Sequence, residues 1–397
     1  MRFEATSLFK TPVKSLKVMG MWPNKQSSRI YRIYCVVVHI IFMDTILALQ
    51  IAALCTYETF DDIVNTLFII PTYVGCVAKT LNFLVNFSKV EEIMEMLKEL
   101  YEICPDTTKI DQRLKMASRI YRTFLFGAIA CGVAACLTVF YELPYRIWFP
   151  YNTDENLWAY VIVAAYASLE ILVYGHVIVT LDLFLVFFFS YAIGFMEVLC
   201  DSLGSIRKQY LEHSSRQDFN HNQKELKKLI GFQIKVDEYL KKFLISFSWI
   251  FVLQGLISVV ILCTTFFVMI NVSWTTICFK LLSYDNFLYP QMVSLKDNPM
   301  RVSYFFLYLS SIIFQTFIPC YYGNEISAVS DKLSASLFHS EWMYENKNFK
   351  TSMMVFLEKV KKPIKISVFR FYDVNLATFT AICHTTFSLY AVLRSLK

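Results

Sequence analysis

An all-α membrane protein of seven transmembrane helices is the fold class the sequence predicts, and three observations predict it. Hydrophobic residues make up 56% of the 397 and charged ones only 18%, with a positive mean hydropathy, above what a soluble globular chain carries. Seven apolar stretches are long enough to cross a hydrocarbon core of ~30 Å, at about 33–54, 63–87, 120–142, 158–190, 243–270, 302–322 and 371–393. The segments between them alternate between Lys/Arg-rich and Lys/Arg-poor, the pattern that sets orientation in a bilayer.

Before the first stretch stand Arg2, Lys10, Lys14, Lys17, Lys25, Arg29 and Arg32, and after it Glu58, Asp61 and Asp62, which predicts a cytoplasmic N-terminus. The leader has no small-residue cleavage site, so no removable signal peptide is expected. Residues 89–122, 207–242 and 332–370 are basic, whereas 141–158 and 271–301 carry few basic residues. Seven spans from an inside N-terminus leave Lys397 outside, an inverted topology relative to a G-protein-coupled receptor. That class also lacks its fingerprints here: no Asp-Arg-Tyr follows the third span, and Asn298-Pro299 falls in an outer connection. The sequon Asn271-Val272-Ser273 lies on the predicted outer side and is a candidate for glycosylation; Asn86-Phe87-Ser88 lies on the inner side.

Two inner connections carry helical periodicity of their own. Leu226, Leu229, Ile230 and Ile234 recur among lysines and run into the fifth span, predicting one helix of about 45 residues, ~68 Å long. Phe349, Met353, Phe356, Leu357 and Val360 repeat the pattern until Lys361-Lys362-Pro363 ends it. With no soluble domain to cover them, these segments, about 191–242 and 323–363, are expected to form a cytoplasmic helical anchor within a single membrane domain of residues 1–397. Helices lying flat on the inner leaflet are the alternative.

The last stretch, 371–397, is long enough to span yet too polar to face lipid all round. Winding it at about 100° per residue puts Val374, Thr378, Ala381, Thr385, Ser388, Val392 and Leu396 on one small, wettable stripe, and Tyr372, Leu376, Phe379, Cys383, Phe387 and Tyr390 on a bulky one. That division suits a pore-lining helix packed on its bulky side; close packing of small residues against a neighbouring helix is the other reading. Within or just below the fourth span, Glu170, His176 and Asp182 are expected to mark where the helix leaves the bilayer and meets water or a Lys partner, with an ion path as the alternative; Asp44 and Lys79 have the same two readings, and Lys79 is placed to snorkel to the inner interface.

The net charge of +6 follows membrane topology and forms no nucleic-acid footprint. Eleven cysteines without Cys-x-x-Cys or Cys/His spacing argue against a metal site, and only Cys55 with Cys278, both near the outer surface, could be bridged. There is no Gly-x-Ser-x-Gly, phosphate loop or paired His ligands, so no enzyme and no cofactor is predicted. Nor is there the repeated pair of Gly/Pro-broken spans that marks many transporters.

From Cys320 onward the chain resembles the insect odorant receptor family. The residues that carry this are Cys320-Tyr321-Tyr322-Gly323-Asn324-Glu325-Ile326, Ser340-Glu341-Trp342, Lys362-Pro363-Ile364, then Phe371, Leu376, Phe379, Phe387-Ser388 and Tyr390. Gustatory receptors, a related family of ligand-gated channels, end in Thr-Tyr and Gln-Phe signatures, against Leu389-Tyr390 and Ser395-Leu396 here. The resemblance implies a non-selective cation channel of four subunits in the plasma membrane of olfactory neuron dendrites, opened by a small volatile odorant. It also implies that this chain, with only a short turn near 213–223 where the shared co-receptor has an insertion, is the odour-tuning partner of that co-receptor. The family's gate falls on Val392 and Leu396, and the co-receptor's outer-mouth Gln is replaced by Ser395. The family's ligand pocket lies in the outer half of spans two, three, four and six. The span directions put Phe68, Tyr73, Val133, Cys136, Phe140, Tyr166, Tyr304, Phe305 and Tyr308 at that depth, and aromatic walls with a few hydroxyls suit volatile ligands.

Overall fold

The structure is a computed structural model that describes residues 6–23, 27–56, 66–139, 156–206, 216–282, 299–340, 342–369 and 372–395, with 63 and several of 143–150 besides. Among the described residues, ten α-helices run along the chain: α1 (Thr6–Val18), α2 (Arg29–Thr56), α3 (Ile70–Val85), α4 (Phe87–Ile103), α5 (Thr108–Thr138), α6 (Leu157–Ser205), α7 (Arg216–Leu282), α8 (Pro299–Phe338), α9 (Lys347–Val360) and α10 (Leu376–Ser395). Six of them, α2, α5, α6, α7, α8 and α10, are long and apolar enough to cross a membrane, and α3 is a shorter apolar helix. Two-residue strands β1 (Ser367–Val368) and β2 (Tyr372–Asp373) pair antiparallel before α10.

Several helices outrun any bilayer. At ~1.5 Å per residue the 49 residues of α6 and the 67 of α7 reach roughly 74 Å and 100 Å, against a hydrocarbon core of ~30 Å. The α7 helix is longer than the 45 residues its periodicity predicts, because it starts at Arg216, ahead of Leu226, and continues unbroken past 270 to Leu282. Asn271 is therefore helical in its backbone rather than part of a loop, and its side chain, like those of Cys278 and Phe140, lies outside the described residues.

The Lys-rich end of the bundle is a helical body centred on α6. From Leu183 to Met196 every residue is buried, a helix apolar all round and covered on every side. Two helices of this body lie outside the segments expected there, α1 against α6 and α4 against α7. Helix α1 inserts Phe9 against Phe184, Phe187 and Phe188 at 5.5–5.6 Å and stacks it on Tyr191 at 5.4 Å. Helix α4 buries Val90, Ile93, Leu97 and Leu100, at helical spacing among its charges. At the end of α1, Gly20 takes φ +71°, and the Met21 amide closes on the Leu16 carbonyl at 2.8 Å, a Schellman-type stop.

Charges tie this body together at its surface. Arg113 of α5 is hydrogen-bonded to Glu197 of α6 and lies 3.4 Å from Glu325 of α8, while Lys242 of α7 meets Glu92 of α4 at 2.7 Å and Lys359 of α9 meets Asp237 of α7 at 2.9 Å. Pairs this exposed contribute about 0–1 kcal/mol each, so they fix register while the apolar core supplies the stability.

The hairpin is wedged between α7 and α8. Its strands pair Ser367 with Asp373 and Val368 with Tyr372, and the Val374 amide donates to the Ile366 carbonyl at 2.8 Å. Gly323, from the sequence motif, leaves the space in which the Val374 carbonyl rests: a Cβ there would stand 2.0 Å from that oxygen. The last helix starts after this hairpin, at Leu376 rather than 371, because the Asn375 side chain accepts the Thr378 amide at 2.9 Å and caps it. Val374 and Tyr372, assigned to helical stripes from the sequence, therefore belong to the hairpin, where Val374 is buried.

Candidate functional site

A cavity of about 120 Å³ lies inside the apolar bundle, walled by α3, α5, α6, α7 and α8. A water needs ~10–15 Å³ by this measure, so the space takes several waters or one small organic molecule. Tyrosines close one end. Tyr73 and Tyr174 pack with ring centroids 4.2 Å apart, Tyr304 and Tyr308 face each other at 6.0 Å, and the Tyr308 hydroxyl is hydrogen-bonded to the Thr72 hydroxyl.

This tyrosine cluster is held by a buried acid. Glu170 is fully buried, and its Oε2 accepts from Tyr73 at 2.5 Å and Tyr145 at 2.6 Å, while its Oε1 has no partner among the described residues. Three turns along α6, Asp182 accepts from Lys79 of α3 at 2.6 Å and from Gln315 of α8. Lys79, Asp182 and Gln315 line the cavity's other end. Asp182 thus meets a Lys partner, as expected of it, whereas Glu170 is held by two tyrosines and, among the described residues, by no Lys. Lys79 is corrected: it is 4% exposed and paired instead of reaching for an interface. A charge inside a bundle is stabilised only by a partner, and each of these has found one on another helix.

The aromatic positions expected to form a pocket separate into groups. Tyr73, Tyr304 and Tyr308 line the cavity. Phe68 and Phe305 are buried directly behind, with Phe68 edge-on to Phe305 at 5.2 Å and to Tyr308 at 5.8 Å. Tyr166 instead donates to the Ile41 carbonyl at 2.5 Å, meeting the π-helical turn Ile40–Asp44 of α2. Cys136 turns its thiol toward the Ser168 carbonyl, and Val133 is 48% exposed on the outer face of α5. Sequence depth alone does not fix rotation about a helix axis, which is why residues of the right depth point elsewhere. Lys79, Asp182, Gln315 and Tyr174 were not assigned to the pocket; charges within apolar spans were the available signal.

Helix α10 is apolar yet scarcely packed on its own chain. Of its 20 residues only Ile382 and Tyr390 are buried, with Phe379 and Leu393 packed beside them. Ala381, Thr385, Ser388 and Val392 are exposed, Thr378 is half-buried and bonded to the Asp373 carbonyl, and Leu396 lies outside the described residues. Phe387, assigned to the packed stripe, is 66% exposed. The packed edge runs through Ile382, Thr386 and Tyr390, rotated from the bulky stripe so that Phe387 falls off its side.

Comparison with known proteins bears on this architecture. The sequence profile of the family described as 7tm Odorant receptor matches residues 59–288 and 286–387. Odorant receptor 94a of Drosophila melanogaster is 30% identical over 103 residues, which span 26% of this chain and 27% of that protein, so about a quarter of the relative's length is matched. Odorant receptor Or1 of Anopheles gambiae is 24% identical over 96% of this chain and 94% of its own. Among solved structures, the insect olfactory receptor OR5 from Machilis hrabei in complex with eugenol superposes with a TM-score of 0.76, at 15% identity, over 99% of this chain and 100% of that one. At that identity the likeness is one of fold.

Proposed function

The chain belongs to the 7tm odorant receptor family, and from that premise we propose that it is the odour-tuning subunit of a non-selective cation channel, opened by a small volatile molecule and assembled as a heterotetramer with a shared co-receptor. It sits in the plasma membrane of olfactory neuron dendrites, N-terminus inside and C-terminus outside, as the distribution of Lys and Arg favours. The observation that carries the channel reading is α10: an apolar helix with two buried residues of 20 needs neighbours that the described residues of its own chain do not supply. In a ring of such subunits Thr378, Ala381, Thr385 and Ser388 line the pore, and Val392 with Leu396 closes it by dewetting. The volatile ligand binds in the interhelical cavity, with Tyr73, Tyr304 and Tyr308 against it and Phe68 and Phe305 supporting them. Asn271 carries the glycan on the outer side.

The test is whole-cell recording from cells expressing the chain with and without a co-receptor. Odorant-evoked current within milliseconds that needs no nucleotide is expected. A response that requires GTP contradicts the channel reading. Tyr304→Ala and Tyr308→Ala should reorder the odorants that evoke current at unchanged surface levels; unaltered dose–response curves for both remove them from the site.

A further inference from the structure

The cavity is mostly apolar but differs between its two ends, and that asymmetry narrows what it binds. Three neighbouring helices each carry a tyrosine at one end and a charged or amide side chain at the other: Tyr73 and Lys79 on α3, Tyr174 and Asp182 on α6, Tyr308 and Gln315 on α8. Separations of six to eight residues at ~1.5 Å set the two ends about 9–12 Å apart. The walls between are largely aliphatic, Ile178, Val179 and Ile312 among them.

At the charged end the hydrogen-bonding capacity is unevenly used. Each carboxylate oxygen of Asp182 already accepts one bond, from Lys79 on one side and Gln315 on the other. The Lys79 ammonium carries three N–H donors and gives one to Asp182; among the described residues the other two have no protein acceptor. Unused donors on a buried cation, opening into an apolar cavity, favour a molecule that brings an acceptor.

We infer that the ligand of this chain is an oxygenated volatile of medium chain length, whose carbonyl or hydroxyl oxygen, near one end, accepts from Lys79 while its hydrocarbon tail reaches the tyrosines. This rests on the channel reading above and names the ligand class for the same cavity. Lys79 is then a specificity residue, and Asp182 and Gln315 hold it in place.

The experiment compares matched straight-chain alkanes, 1-alcohols and ketones from pentane to nonane, recorded as currents in cells expressing the chain with its co-receptor. Within one chain length, the 2-ketone and the alcohol are expected to be more potent than the alkane by about 10-fold or more, the worth of a hydrogen bond to a charged donor. Moving the carbonyl from the chain end, 2-heptanone to 4-heptanone, should lose most of that gain. The ratio should collapse toward unity in Lys79→Met/Asp182→Leu, which replaces both partners so that neither charge is stranded. Alkanes as potent as ketones, or a ketone preference indifferent to carbonyl position, overturn the inference on the unmodified protein even where the double variant does not reach the surface. A preference that survives in a surface-expressed double variant does the same. A receptor answering volatiles outside the series and none within it also sinks the ligand class, whereas one answering no volatile at all removes the channel reading first.

Discussion

Substituting Gly323 by Ala is the smallest change that tests how the last helix is held. The added Cβ would stand 2.0 Å from the Val374 carbonyl oxygen and 3.0 Å from its carbon, both backbone atoms, and ordinary contact starts near 3.4 Å, so the hairpin must retreat by about 1.4 Å. It has little freedom to do so. The Val374 amide is bonded to Ile366, and the Thr378 hydroxyl bonds the Asp373 carbonyl, so any retreat drags the start of α10 with it. Overpacking of this kind typically costs about 1–3 kcal/mol, enough to lower abundance several-fold. Gly255→Ala meets only the Tyr372 hydroxyl and ring, at 2.3 Å and beyond, and a side-chain tip yields more cheaply than backbone. Gly127→Ala meets nothing within 4 Å. Surface biotinylation with odorant dose–response curves should therefore rank the three variants, Gly323→Ala most impaired and Gly127→Ala unaffected. A Gly323→Ala receptor with normal surface level and normal curves would refute the claim that the hairpin seats α10 through this glycine.

Further outcomes follow from the same contacts. Val392→Thr keeps volume and adds a hydroxyl at the proposed gate, so current without odorant should rise; a channel that stays shut removes Val392 from the gate. Phe9→Ala takes a packed ring from the α6 core and should cost about 3–5 kcal/mol, read as a large fall in the melting temperature of the purified protein; an unchanged melt means α1 is not docked there. Phe387→Ala should spare the subunit's own stability and weaken its assembly, measured as loss of tetramer by size at constant monomer melting temperature. Epitope tags on intact cells should be reached at the C-terminus and not at the N-terminus; the reverse pattern inverts the orientation read from Lys and Arg.

What could be read from the chain was whatever one helix encodes locally. Apolar runs located the spanning helices, and Phe349, Met353, Phe356 and Val360 of α9 are buried on the face their spacing draws. Phe9, Val13 and Leu16 carry the same i, i+4, i+7 signal in α1, but the lysines around them fit a topology signal equally well, so nothing local marks their docking. Asn375 was a legible cap that the continuous apolar run of 371–393 overrode. Lys79 and Asp182 lie 103 residues apart, and nothing local to either says that the other is its partner. Rotation about a helix axis is fixed by neighbours, which is why Val133 and Tyr166, placed by depth alone, point away from the cavity.

Helix α10 is hard to orient from sequence because its rotation, too, is fixed by its neighbours. Two stripes, one wet and one packed, are what a helix needs between a single wall of protein and water. At about 100° per residue, the edge buried by its own chain, centred on Thr386, leaves Phe387 about 100° to one side and Val392 about 120° to the other. That makes three faces rather than two. A subunit in a ring has three surroundings for such a helix: its own bundle, the next subunit, and the axis. In the proposed assembly, Val392 on the axis leaves Phe387 for the neighbour, which would cover an aromatic 66% exposed in the single chain. A two-sided helix would have had to bury it at home.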